Sequence, residues 1–284
     1  MRNSKLIVSV ATFSAILSIG AASAADLPTR AYTKAPAMIA AVYDWTGFYI
    51  GANAGGHWGR DRLTIDADPL GFGGGAAAEA NALSAGSLKP SGFIGGGQIG
   101  YNWQRNNLLL GLEADAAWLD GRAARSITYP TALVLNPTDV MTNSTRATWL
   151  ATVRGRLGVA FDRTLLYATG GVAFGELKTT DTFCGFGCLP AFVALGAFSS
   201  VSASTTRTGW TAGVGVEHAI ANNWSVKVEY LYVDLGTLST SIPPCPLCLT
   251  LPIQSDVTVH HRYTDNLLRV SINYRFGGPV IAKY

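Results

Sequence analysis

Four cysteines, two adjacent histidines and nine charged residues set inside apolar stretches are the side chains with chemistry to offer. Cys184 and Cys188 have CxxxC spacing, and Cys245 and Cys248 have CxxC spacing. Four such sulfurs suit a zinc site, disulfides or free thiols. An exported chain passes through an oxidising compartment, which favours disulfides. Their pairing stays open: one bridge within each segment, or either of two ways of tying the segments together. Thioredoxin-like redox work needs a helix opened by the CxxC after a strand, and Cys245-Pro246-Leu247-Cys248 has no such setting. His260-His261 reads as a solvated loop end, with haem or metal capture as the alternative. A hydrolase needs nucleophile, base and carboxylate together near one rim. His57, His260, Asp61, Asp256 and several loop serines are available, but no spacing selects a triad. Gly95-x-Gly97-x-x-Gly100 fits a dinucleotide fingerprint, yet no helix follows it. The expectation is no catalytic residue, no metal site and no cofactor.

Composition narrows the classes further. Only 14% of the 284 residues are charged, where a soluble domain averages about 25%. With 21 basic against 18 acidic residues, the dense cationic surface that nucleic acid requires is missing. Arg2 and Lys5, the apolar run Leu6 to Ile19, and Ala22-Ser23-Ala24 form a secretory signal peptide over residues 1–24. Its removal takes two bases from the 21, leaving 19 against 18, or +1. Residues 25–44 contain Pro28 and Pro36 without period and read as a periplasmic linker. No later window offers a helical span, so the apolar residues belong in a soluble core or in a closed barrel.

From Trp45 onward, eight stretches alternate apolar with polar or small residues, the period of a strand. They are Trp45–Trp58, Gly92–Trp103, Asn107–Leu119, Arg146–Phe161, Thr164–Leu177, Arg207–Ile220, Asn223–Leu235 and Asp265–Phe276. Three connections are tight and polar: Gln104–Asn106, Asp162–Arg163 and Ala221–Asn222. Four are long: Gly59–Ser91, Asp120–Thr145, Lys178–Thr206 and Gly236–Thr264. Short and long strictly alternate. The fold class is therefore all-β: an eight-stranded antiparallel transmembrane β-barrel over residues 45–284, with short periplasmic turns and long extracellular loops.

Each strand has one apolar face. The other face collects Glu113, Asp115, Glu217 and Glu229 against Arg154, Arg156, Lys227, Arg269 and Arg275. A membrane barrel turns the apolar face to lipid and encloses the charges. Eight strands leave an interior about wide enough for side chains to fill, so these nine are expected to pair across the lumen and plug it. Aromatics near the strand ends, among them Trp45, Trp103, Trp118, Trp149, Trp210 and Trp224, are expected in interfacial girdles. The function expected is that of a structural or surface-interaction component. The alternatives are a narrow porin-like diffusion channel and haem or metal capture by the loops.

The segments WTGFYIGANAGG, LLYATGGVAFG, GWTAGVGVEHAI, WSVKVEYLYVDLG and VSINYRF resemble the small opacity-like outer-membrane β-barrel proteins of alphaproteobacteria, often labelled the porin family. The resemblance runs from Trp45 to the C-terminus. It implies an eight-stranded barrel in the cell outer membrane, inserted by the barrel-assembly machinery through an aromatic signal ending at Phe276. The tail Gly277–Tyr284 departs from that pattern. Partners expected are outer-membrane lipid and lipopolysaccharide, the assembly machinery during insertion, and an unidentified surface ligand, but no nucleic acid.

Overall fold

The computed structural model describes residues 43–67, 81–82, 85–128, 140–184, 190–194, 198–243 and 257–277. The expected signal peptide, most of the expected linker, the Gly- and Ala-rich part of the first loop, Cys188, Cys245, Cys248 and the tail from residue 278 lie outside them.

The strands are β1 (Gly47–Ala67), β2 (Gly86–Leu88), β3 (Ser91–Arg105), β4 (Leu108–Thr128), β5 (Val140–Phe161), β6 (Thr164–Cys184), β7 (Phe198–Ala219), β8 (Trp224–Ile242) and β9 (Val257–Arg275). A five-residue helical turn, Pro190–Ala194, lies between β6 and β7. Every neighbouring pair is antiparallel, and β1 pairs with β9, closing the ring. The short β2 continues the line of β3 along β1. Pro90 separates the two because it has no ladder N–H, although its carbonyl still accepts from the Gly59 amide at 2.7 Å. The wall thus has eight staves. Following the register from Ile50 through Ile99, Ala114, Val153, Val172, Trp210, Asp234 and Thr264 returns to β1 at Arg60, ten residues from the start. That stagger is the tilt a closed barrel needs.

The outward face has a sharp boundary. Below it lie Phe93, Trp118, Leu157 and Leu108, exposed at 80%, 76%, 63% and 62%. Aliphatic and aromatic exposure of this extent on every stave belongs in lipid. Periplasmic aromatics stack in a girdle, Phe48–Tyr101 and Tyr101–Trp103 at 4.5 Å and Trp224–Tyr274 at 5.1 Å between centroids. On the other side Trp58, Trp118, Trp149 and Trp210 mark the outer interface. Beyond them the outward residues turn polar: Arg60, Arg62 and Thr64 on β1, Ser204 and Ser202 on β7.

The strands continue past that interface. β5 and β7 have 22 residues each, and a bilayer span takes about 9–11. The four long connections are therefore shorter than the sequence pattern suggested, because much of each is strand. Three β-bulges, at Trp118/Gly121, Ala147/Trp149 and Asp234/Thr237, sit at the level of the outer girdle. A bulge re-aims the residues that follow it. On β5 it moves the inward parity from Leu150 to Ala147; on β8 it moves the parity from Val233 to Leu238. Above this level, hydroxyl pairs such as Thr180–Ser202 (3.1 Å) and Thr182–Ser200 (3.2 Å) replace outward aliphatics.

Trp45 corrects the expected girdle. It is only 2% exposed and lies inside the periplasmic end of the lumen with Tyr43, Leu109, Ala160, Leu165, Tyr167 and Ala219. The reason is its place just before β1, where the incoming chain turns under the barrel. Its amide donates to Gln104 Oε1 at 2.8 Å. Tyr43, expected from the sequence to belong to a linker, is thus part of the barrel's base.

Candidate functional site

The interior is layered. Above the apolar base lies a charged layer, then an apolar layer including Ile94, Leu119, Leu150, Leu231 and Leu267. A polar group on the extracellular side follows, and last an apolar cap of Leu63, Ile65, Leu88, Met141, Ile242 and Val259.

In the charged layer, inward positions of β4, β5, β7, β8 and β9 bring eight of the nine expected residues together. Lys227 Nζ donates to both Glu113 oxygens, at 3.0 and 2.8 Å. Arg154 reaches Glu113, Asp115 (3.0 Å) and Glu229 (3.1 Å). Arg269 joins Asp115 (2.8 Å) to Glu229 (2.7 Å). Arg156 pairs with Glu217 at 2.8 Å. Except for the 4% exposure of Glu217, all eight side chains are fully enclosed. Four acids meet four bases, so the layer is electrically neutral, and neutrality is what makes complete enclosure tolerable.

Arg275 is not a member, contrary to the sequence expectation. Its guanidinium donates to main-chain carbonyls of Asp44, Thr46 (3.2 Å) and Asn222 (3.0 Å), and lies 4.7 Å from the Tyr43 ring centroid. It is the last residue of β9 and so reaches the periplasmic mouth, where it ties the incoming chain to the β7–β8 turn.

Two tyrosines complete the layer. Tyr49 donates to Glu113 at 2.6 Å, and Tyr167 donates to Glu229 at 2.8 Å. Arg156 stacks on Tyr167 at 4.0 Å and donates to the Tyr49 hydroxyl at 2.7 Å. Tyr49 faces Gly100 across the ladder, and Tyr167 faces Gly215. A Cβ at either glycine would overlap the ring or hydroxyl of its tyrosine. The rings therefore lie over bare backbone, an aromatic-over-glycine pairing. Cross-strand Tyr–Gly pairing was the available signal, but it needs the register, which sequence alone does not provide.

Sequence reading also missed the polar group above the outer girdle. His261 Nδ1 lies 2.8 Å from Asp61 Oδ2, and its Nε2 lies 3.1 Å from Asp181 Oδ2. Asn143 donates to Asp181 at 2.7 Å, Thr240 donates to Asp181 at 2.8 Å, and Thr145 donates to Asp61. His261 is 1% exposed and belongs to β9, so it is not a solvated loop end. Its neighbour His260 faces out, 3.0 Å from Asp66. The two histidines alternate across the wall and do not share a site. His57 pairs with Asp265 at 2.9 Å, far along the barrel from His218 beside Thr164. Cys184 ends β6 and is disulfide-bonded.

A family model described as the outer membrane protein beta-barrel domain matches residues 12–276. The chain belongs to this outer membrane β-barrel family. Over 272 residues it is 33% identical to the 31 kDa outer-membrane immunogenic protein of Brucella melitensis biotype 1, covering 90% of this chain and 93% of that one. It is 28% identical over 198 residues to the 22 kDa outer membrane protein of Rhizobium leguminosarum bv. viciae, covering 67% and 64%. Among solved structures, Neisserial surface protein A aligns over 81% of this chain and 98% of its own, at 11% identity and a TM-score of 0.34. This family member is therefore a protein of the outer membrane.

In this outer-membrane barrel the His261 group lies beyond the lipid, on the extracellular side. Burial opposes charging the imidazole, but hydrogen bonds to Asp181 and Asp61 and their negative charge outweigh it. The His261 pKa is pushed up to about 9. Burial likewise opposes the Asp181 charge and is outweighed by His261, Asn143 and Thr240, which hold its carboxyl below the usual range. A raised imidazole pKa stabilises the fold fully below the unfolded value of about 6.5 and is lost as pH climbs through the folded value. The extracellular ends of β1, β6 and β9 should therefore exchange amide hydrogen faster as pH rises from about 6.5 to 9, beyond the intrinsic rate. His261→Asn should abolish that excess. An equal excess in the variant would assign the effect elsewhere.

Proposed function

We propose that this barrel is a closed, non-conducting, non-enzymatic component of the outer membrane that presents its extracellular strands and loops as surface. The observation that carries this reading is the neutral layer of four acids and four bases, enclosed between two apolar layers. An ion entering the lumen would have to break an enclosed set of charge-assisted bonds, each stronger than a neutral hydrogen bond. The non-enzymatic reading is supported by His261, whose ring nitrogens both face carboxylates under an apolar cap, out of reach of a substrate. The relatives from Brucella are named immunogenic, which agrees with exposure at the cell surface.

Planar-bilayer recording tests the proposal. The refolded chain should give no steady conductance across a range of voltages. A large, stable step would favour the narrow diffusion channel and overturn the plug.

A further inference from the structure

We propose that the outer face of β4, β5 and β6, just beyond the outer girdle, holds the phosphate groups of a phosphorylated glycolipid of the outer leaflet. The observation is a cross-strand row of like charges. Arg122 stands opposite Arg146, and Arg146 stands opposite Lys178. All three face outward and are exposed. Like charges placed directly across a ladder repel and destabilise it, so such a row needs an anion.

The chain itself supplies little. Lys178 lies 3.8 Å from Glu176, which is also held by Thr148 and by Ser204 at 2.8 Å. Among the described residues neither Arg122 nor Arg146 has a carboxylate within ion-pair distance. Asp120, two residues nearer the membrane, stands opposite Phe93. The comparable pair on the other side of the barrel, Arg62 opposite Arg262, is relieved by Asp234 at 3.2 Å from Arg262. Among the described residues, the Arg122–Arg146 pair of the β4–β6 row has no such carboxylate.

Height identifies the occupant. The girdle pair Trp118 and Trp149 faces across the same two strands. Arg122 follows Trp118 by four residues, or about 13 Å along a strand and about 9 Å along the membrane normal at the usual tilt. That is the headgroup zone. Two guanidiniums and an ammonium side by side offer bidentate forks and a point charge, the chemistry that binds phosphate. A lipid anchored by acyl chains against the apolar wall below delivers its phosphates to this level without a further translational cost.

This inference rests on the outer-membrane placement and not on the closed lumen, so the two fail separately. The test uses the refolded full chain in non-ionic detergent, with lipid adducts counted by native mass spectrometry. The probes are a bis-phosphorylated acylated glucosamine disaccharide, the same lipid without phosphates, and inorganic phosphate. The variant Arg122→Gln/Arg146→Gln/Lys178→Gln changes only exposed side chains; Arg105→Gln at the periplasmic rim is the control. Wild type and control should bind the phosphorylated lipid, and the triple variant should bind at least tenfold more weakly with an unchanged unfolding midpoint. Equal binding by the triple variant would overturn the assignment. So would equal binding of the phosphate-free lipid. Saturation by inorganic phosphate alone would assign the row to a free anion and overturn the lipid.

Discussion

Glu113→Gln is expected to lower the unfolding free energy of the barrel by about 3–5 kcal/mol, the usual cost of removing one partner from an enclosed ion pair. The side chain meets Lys227, Arg154, Arg156 and Tyr49 at once. The amide has nearly the same shape, so packing is kept while the layer gains an unbalanced positive charge. Urea unfolding in lipid vesicles, followed by tryptophan emission, measures the loss. The double variant Glu113→Gln/Lys227→Met restores three acids against three bases. It should recover much of the deficit, because the penalty comes from the stranded cation and not from a missing contact. Equal loss in single and double variants would mean that neutrality is not what holds this layer.

Trp45→Ala should cost a similar amount, about 3–5 kcal/mol, by emptying the base of the lumen. The indole lies edge-on to Tyr43 at 4.9 Å and fills the space under Leu109, Leu165 and Tyr167. Among the described residues its Nε1 has no hydrogen-bond partner, so the loss is one of packing. The Trp45 amide keeps its bond to Gln104, and the chain can still enter at the same place. Trp45→Phe should cost clearly less, since a ring remains. Had Trp45 been an interfacial residue, alanine would change stability little; a loss below about 1 kcal/mol would return it to the girdle.

Within the membrane, alternation alone was enough to locate the staves, because lipid forces every outward side chain to be apolar. Leu108, Leu110 and Leu112 against Glu113 and Asp115 are read without coordinates. Outside the membrane that force disappears. The stretch Ser199–Thr206 is rich in Ser and Thr and reads as loop, yet it belongs to the extracellular part of β7. The bulges at Trp118, Ala147 and Asp234 add a change of parity that no strict period follows.

The amino-acid order by itself determined the topology and the sign of each face, since both follow from which residues tolerate hydrocarbon. Only the tertiary structure decided which charges meet. The ten-residue stagger brings Glu113, Arg154, Lys227 and Arg269 from four strands to one level, whereas Arg275, last in β9, is left at the mouth. The same stagger brought His261 between Asp61 and Asp181, 200 and 80 residues distant along the chain. Period is a local property of a strand, whereas register around a closed ring is set by the packing of all eight staves together.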